Sequence, residues 1–176
     1  MPEGARPPRS RWWWDVASLL FFTAPAVVAP VLPLVVEEDL GAGSVVIGAS
    51  VAAIGLPGLV TRPVAGWLAD RWGARRLFLL AAAGAGLAIV GSGLASVLGV
   101  AGLFVLLRLA QGVGDGAVFS AATTDAAASV PPHLRGRAFT RFALTLTAGL
   151  VIGPFIAEPV AALWGRQAVF WVAGGL

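Results

Sequence analysis

The sequence predicts an all-α, polytopic membrane protein, and three observations carry that reading. Hydrophobic residues make up 58% of the chain and charged residues only 12%, with a mean hydropathy of +0.87, well beyond average soluble usage. Uncharged runs recur that are long enough to cross a hydrocarbon layer of ~30 Å, which takes about 20 helical residues. Nine of the twelve arginines gather before or between those runs, at positions 6, 9 and 11, at 71, 75 and 76, and at 135, 137 and 141. Basic residues collect in this way on the cytoplasmic side of membrane spans. The 23 glycines and 12 prolines suit transmembrane helices, where small side chains allow close packing and neighbours satisfy freed backbone groups.

Five spans and the start of a sixth follow, at about 13–36, 42–65, 77–94, 97–122, 138–163 and 168–176. The first begins at an interfacial belt, Trp12, Trp13 and Trp14. Its apolar run is long for a signal peptide, carries Pro25, Pro30 and Pro33, and is followed by further spans, so it is read as retained. The acidic turn Glu37-Glu38-Asp39 closes it, and the second span approaches the membrane edge at Arg62-Pro63, where Arg62 can snorkel outward. Residues 77–107 carry no charge, too many for one untilted helix. The arginine groups before and after the next apolar region require an even number of crossings between them, so two helices share it, with Gly91-Ser92-Gly93 and Ala95-Ser96 as places to turn. Residues 1–11 are then a cytoplasmic tail, and the location is a cell membrane, with the acidic turn and Arg166 on the far side.

Several function classes drop out. The twelve basic residues form no contiguous face, which argues against nucleic acid. There is no cysteine and one histidine, His133, so no metal site is expected. No G-x-x-x-x-G-K-[ST] phosphate loop is present and no nucleophile stands with a base, so neither ATP hydrolysis nor other enzyme activity is expected, and no cofactor.

Three motifs carry chemistry. Gly66-Trp67-Leu68-Ala69-Asp70-Arg71-Trp72-Gly73-Ala74-Arg75-Arg76 puts a charged turn between the second and third spans. Gly66 lets helices approach, Gly73 permits a positive φ, and Asp70 can cap a helix or pair with arginine. Arg108-Leu109-Ala110-Gln111-Gly112-Val113-Gly114 places an arginine about eleven residues into the fourth span, near mid-membrane at ~1.5 Å per residue. An arginine there costs at least ~2.5 kcal/mol, so it faces a cavity or a partner. Asp115, seven residues on, returns to almost the same face and is either a proton carrier beside Arg108 or one half of a static ion pair. In the fifth span Gly149 and Gly153 form a smooth packing face and Pro154 permits bending.

These motifs resemble those of the major facilitator superfamily, most closely its drug:proton antiporter branch, over nearly all of residues 33–154. The turn matches G-x-L-a-D-r-x-G-r-r at Gly66, Leu68, Ala69, Asp70, Arg71, Gly73, Arg75 and Arg76, with Ala74 departing from the pattern. The fourth span matches R-x-x-q-G-x-g at Arg108, Gln111, Gly112 and Gly114, with Asp115 where relatives carry a small residue. The fifth matches g-x-x-x-G-P at Gly149, Gly153 and Pro154, with Ala157 and Glu158 as departures. The resemblance implies a cytoplasmic latch built from Gly66, Asp70, Arg71, Gly73, Arg75 and Arg76, with Asp125 as its acidic partner.

It also implies proton coupling or substrate contact at Arg108, Gln111 and Gly112, and Asp115 joins them as a proton carrier through its spacing from Arg108 and not through the resemblance. The expected protein is a secondary active transporter, a proton-coupled exporter of small organic molecules working by alternating access. Residues 12–176 would supply an incomplete first six-helix bundle whose partner is a missing C-terminal half. A nutrient, sugar or organic-acid symporter of the same superfamily and a nontransporting membrane subunit are the alternatives. The expected partners are the lipid bilayer, a small-molecule substrate and the proton.

Overall fold

The computed structural model describes residues 12–176. The tail 1–11 lies outside the described residues. Helix α1 (Trp12–Val28) stops because Pro30 has no N–H to give the carbonyl one turn back, and Pro33 repeats the loss. The chain resumes as α2 (Leu32–Leu34), runs into a π-helical turn over Val35–Asp39, and bends by 44° relative to α1. The expected span 13–36 is therefore a broken one, with its acidic residues inside the widened turn rather than after the helix.

Helix α3 (Ser44–Trp72) is 29 residues long, about 44 Å, and outlasts the expected 42–65. Its last turns carry Asp70 and Arg71, which suit a helix that projects beyond hydrocarbon. The expected charged turn is thus mostly helix. Only Gly73 leaves it, at φ +90°, before α4 (Ala74–Val97) begins. Open space surrounds a Cβ built at Gly73, so Gly73→Ala meets backbone strain alone. A loss of about 1–3 kcal/mol is expected, read as a lower unfolding midpoint in detergent, whereas Gly136→Ala, helical and equally open, should hold or slightly raise the midpoint.

The second connection corrects another expectation. Residues 91–93 stay helical, and α4 passes into α5 (Ala101–Ala128) through Gly99 at φ +68°. Gly91 and Gly93 serve packing instead, the first against the Leu107 side chain and the second against Phe170. A 3₁₀ turn (Pro132–Leu134) leads to α6 (Arg135–Trp164), continuous through Pro154 and Pro159, and Gly165 turns the chain into α7 (Arg166–Gly174).

Four of these helices are long and apolar enough to cross a membrane, five if the bent pair counts as one. Among the described residues no strand occurs. Helix α5 packs on α3 and α4, α1 on α6, and α7 mainly on α4. Two apolar cores result. One gathers Val27, Val28, Val35, Phe104 and Phe170 toward the acidic end. The other gathers Trp14, Phe21, Phe22, Phe78 and Val118 toward the arginine-rich end. On α5 the two meet across a short polar strip.

Candidate functional site

That strip is Arg108, Gln111 and Asp115, one face of α5 by their three- and four-residue spacing. Arg108 and Gln111 are fully buried, and Asp115 is partly so. The Arg108 NH1 donates to Gln111 Oε1 at 2.7 Å, and Gln111 Nε2 donates to Asp115 Oδ2 at 3.4 Å. Gln111 therefore stands between the charges, and the direct Arg108–Asp115 ion pair weighed from the sequence does not form. Arg108 Nε and NH2 and Asp115 Oδ1 are buried with no hydrogen-bond partner among the described residues. Each such atom costs about 1–3 kcal/mol, so the strip is high in energy for its size.

Arg108 was expected to face a cavity or a partner, and here it faces partners. Its guanidinium carbon lies 5.2 Å from the Phe104 ring centre and 5.3 Å from that of Phe170. Two pockets, of about 240 and 360 Å³, open elsewhere, and the strip lines neither.

Depth also shifts. With α5 beginning at Ala101, Arg108 sits about 10 Å along the helix, not the greater depth reckoned from position 97. The middles of three helices coincide instead near Asp115. A Cβ on Gly58 in α3 would meet Gly112 O at 3.2 Å, and one on Gly114 would meet Ala85 Cβ of α4 at 2.8 Å.

Gly112 lies on the adjoining face of α5. A Cβ there would come within 2.7 Å of Ala53 O and 2.9 Å of Ile54 Cα, and at Gly116 within 2.9 Å of Gly58 Cα. Gly112 thus holds helices together and does not join the polar strip. Gly58 and Gly116 escaped the sequence reading, although a glycine four residues after Gly112 was a visible signal. Gly66, expected to admit a close neighbour, has open space around it.

The residues of the expected latch are spread along two helix ends. Arg71 lies over Trp67 at 5.5 Å, and Arg75 over Trp13 at 5.2 Å, reaching back to the start of α1. Asp70 and Arg76 are exposed and make no ion pair among the described residues. Asp125 stands in the wall of the 240 Å³ pocket with Asp15, Arg137 and Arg141. Arg141 pairs with Asp15, joining α6 to α1. Arg62 does not simply snorkel: its guanidinium caps the Phe119 ring at 4.2 Å, while Ser120 Oγ donates to the Arg62 carbonyl at 3.1 Å.

The opposite end is fastened by charge. Arg166 at the start of α7 pairs with Glu38 and, at 2.9 Å, with Asp39, while Gln167 Nε2 donates to Asp39 Oδ2 at 3.0 Å. The bent C-terminal end of the first span is thereby tied to α7. On α6, Gly149 and Gly153 face the α1 backbone. A Cβ on Gly149 would lie 2.9 Å from Thr23 N, and one on Gly153 2.7 Å from Val27 N. Pro154 follows within the unbroken helix, and Glu158 is exposed.

A family model described as Major Facilitator Superfamily matches residues 15–176. The multi-drug resistance efflux pump PmrA of Streptococcus pneumoniae is 33% identical over 153 residues, covering 85% of this chain and 37% of the relative. The multidrug resistance protein MdtG of Salmonella arizonae is 29% identical over 164 residues, covering 92% of this chain and 40% of the relative. The chain accordingly spans well under half the length of these curated relatives.

Proposed function

The chain belongs to the major facilitator superfamily, and from that premise we propose that it forms the first bundle of a proton-coupled exporter of small organic molecules. The observation that carries the proposal is the buried strip of α5. An arginine and an aspartate are kept between two apolar cores, bridged by one glutamine, with three polar atoms that have no partner among the described residues. Static packing does not reward that arrangement, since apolar side chains of the same volume would serve stability as well or better. A carboxylate that exchanges its proton as the helices move does.

In this reading Asp115 takes up and releases the coupling proton. Arg108, through Gln111, makes the charged form less costly in one conformation than in another. The apolar outer faces of α3 and α6, with Leu56, Leu59, Val60, Val151 and Phe155 exposed, meet lipid and a second bundle. The arginine-rich end, with the N-terminus, faces the cytoplasm. Alternating access then rocks one bundle against the other and brings the strip to water. The names of the PmrA and MdtG relatives favour efflux of drug-like molecules over nutrient uptake.

The test is flux in inverted membrane vesicles containing the transporter, with an imposed acidic interior and a fluorescent cationic dye outside. Dye accumulation that ceases when the pH gradient is collapsed, together with dye-induced proton release, is the expected result. Accumulation that ignores the gradient, or none for any of a panel of organic cations, would remove the proposal.

A further inference from the structure

The arginine that the proposed function relies on is held by two rings, and only one of them belongs to its own helix. Phe104 precedes Arg108 by one turn of α5. Phe170 comes from α7. Both rings are fully buried, their centres 6.0 Å apart and their planes at 75°. The guanidinium lies within the range at which a cation is attracted to a ring face.

Its polar demand is otherwise poorly met, because NH1 alone donates a hydrogen bond while Nε and NH2 have no acceptor among the described residues. In an apolar surrounding a ring face is the remaining source of negative potential, and it is worth more there than at a wet surface. Phe170 is also closely seated. A Cβ on Gly93 of α4 would lie 2.7 Å from Phe170 Cβ and 3.2 Å from its Cγ, so the missing side chain at Gly93 is what admits the ring.

The geometry points to Phe170 as a positioning residue for Arg108, an aromatic clamp by which α7 sets where the buried guanidinium of α5 rests. This rests on the transport reading for its consequence but not for its measurement. The outer end of α7 is tied to the first span by Arg166 with Glu38 and Asp39, so a displacement of the first span carries Phe170 with it. The guanidinium must then follow the ring or lose it. Phe170 touches no substrate in this assignment, and its effect passes through Arg108.

Progressive fluorination tests the clamp, because it drains the ring face of negative potential while leaving shape and apolarity nearly unchanged. The full transporter is made with mono-, di- and trifluorophenylalanine at position 170, and its unfolding midpoint is followed in detergent. A stepwise fall amounting to roughly 1–2 °C is expected across the series. The same series at Phe22, a buried ring that meets Phe21 and Phe142 edge to face and no cation among the described residues, is expected to be clearly shallower, since only ring–ring contacts change there. In an Arg108→Met background the position-170 series should drop to the slope seen at position 22, because the Phe104 contact remains.

A flat series at position 170, or one no steeper than that at position 22, overturns the assignment, as does a slope that Arg108→Met leaves undiminished. Should Arg108→Met fail to fold, the comparison of the two ring positions decides alone. Unfolding is read without flux, so a protein that proves not to couple protons leaves this result standing, and a flat series leaves the transport proposal to its own test.

Discussion

Asp115→Asn is expected to lower proton-driven export by roughly 5–150-fold, the span of an ordinary coupling free energy, while substrate exchange across the membrane at equal pH continues. Asparagine keeps the shape of the side chain and can still meet Gln111 Nε2 through its amide oxygen, at the place where Asp115 Oδ2 now accepts at 3.4 Å. What it removes is the exchangeable proton. A defect confined to gradient-driven flux therefore reports coupling, whereas loss of exchange as well reports a broken fold.

Arg108→Met is predicted to differ in kind. It takes away the buried cation and leaves Gln111 Oε1 without its donor, while filling the space between Phe104 and Phe170 with an unbranched apolar side chain. Export should fall as far as in Asp115→Asn with membrane insertion unchanged or improved, because the cost of inserting an arginine, about 2.5 kcal/mol at the centre of a span and less toward its ends, disappears. Quantified membrane-inserted protein beside vesicle flux checks both halves. Wild-type export in either variant would mean that the strip is structural.

The sequence made some of this legible and hid the rest for identifiable reasons. The spans and the turn at Gly73 could be read because lipid sorts residues by polarity and because a positive φ favours glycine. Helix ends could not be placed in the same way. Asp70, Arg71 and Trp72 read as a turn because they are charged or interfacial, yet nothing in them stops a helix once it has left hydrocarbon, and α3 runs on to Gly73. Conversely, Gly91-Ser92-Gly93 reads as a turn by the rules of water-soluble chains, while in a bundle the same small residues make room for Leu107 and Phe170. The three prolines of the first span did not reveal its break, since α1 runs through Pro25 and stops before Pro30, and nothing in the sequence marked the π-turn that follows.

The strip shows the same division. Spacing put Arg108 and Asp115 on one face, since helical geometry is local, and Gln111 entered only through the family pattern. Phe170 was out of reach, because its contact with Arg108 joins residues 62 positions apart and depends on how α7 docks. The charged fastening of Arg166 to Glu38 and Asp39 is of this kind too. Sidedness grouped these residues at one end, but only packing could pair them.

Gly116→Leu is expected to be the most damaging single change in the bundle, and Gly112→Val nearly as severe. At both sites the missing Cβ faces backbone. Gly116 lies against Gly58, with its Cβ position 2.9 Å from Gly58 Cα, and Gly112 against Ala53 O at 2.7 Å. A flexible neighbour could swing aside, but a helix backbone yields only by moving the whole of α3 away from α5. That separation would open the helix interface at the level of Asp115, so stability and coupling should fail together. Overpacking of a tight interior costs about 1–3 kcal/mol, and with two helices forced apart the upper end of that range or beyond is expected. The measurements are the yield of monodisperse protein in detergent and its unfolding midpoint. Gly66→Leu supplies the contrast, because a Cβ there meets nothing within 4 Å. It should insert and unfold like the parent, because the close approach expected at Gly66 belongs to Gly58, Gly112 and Gly116.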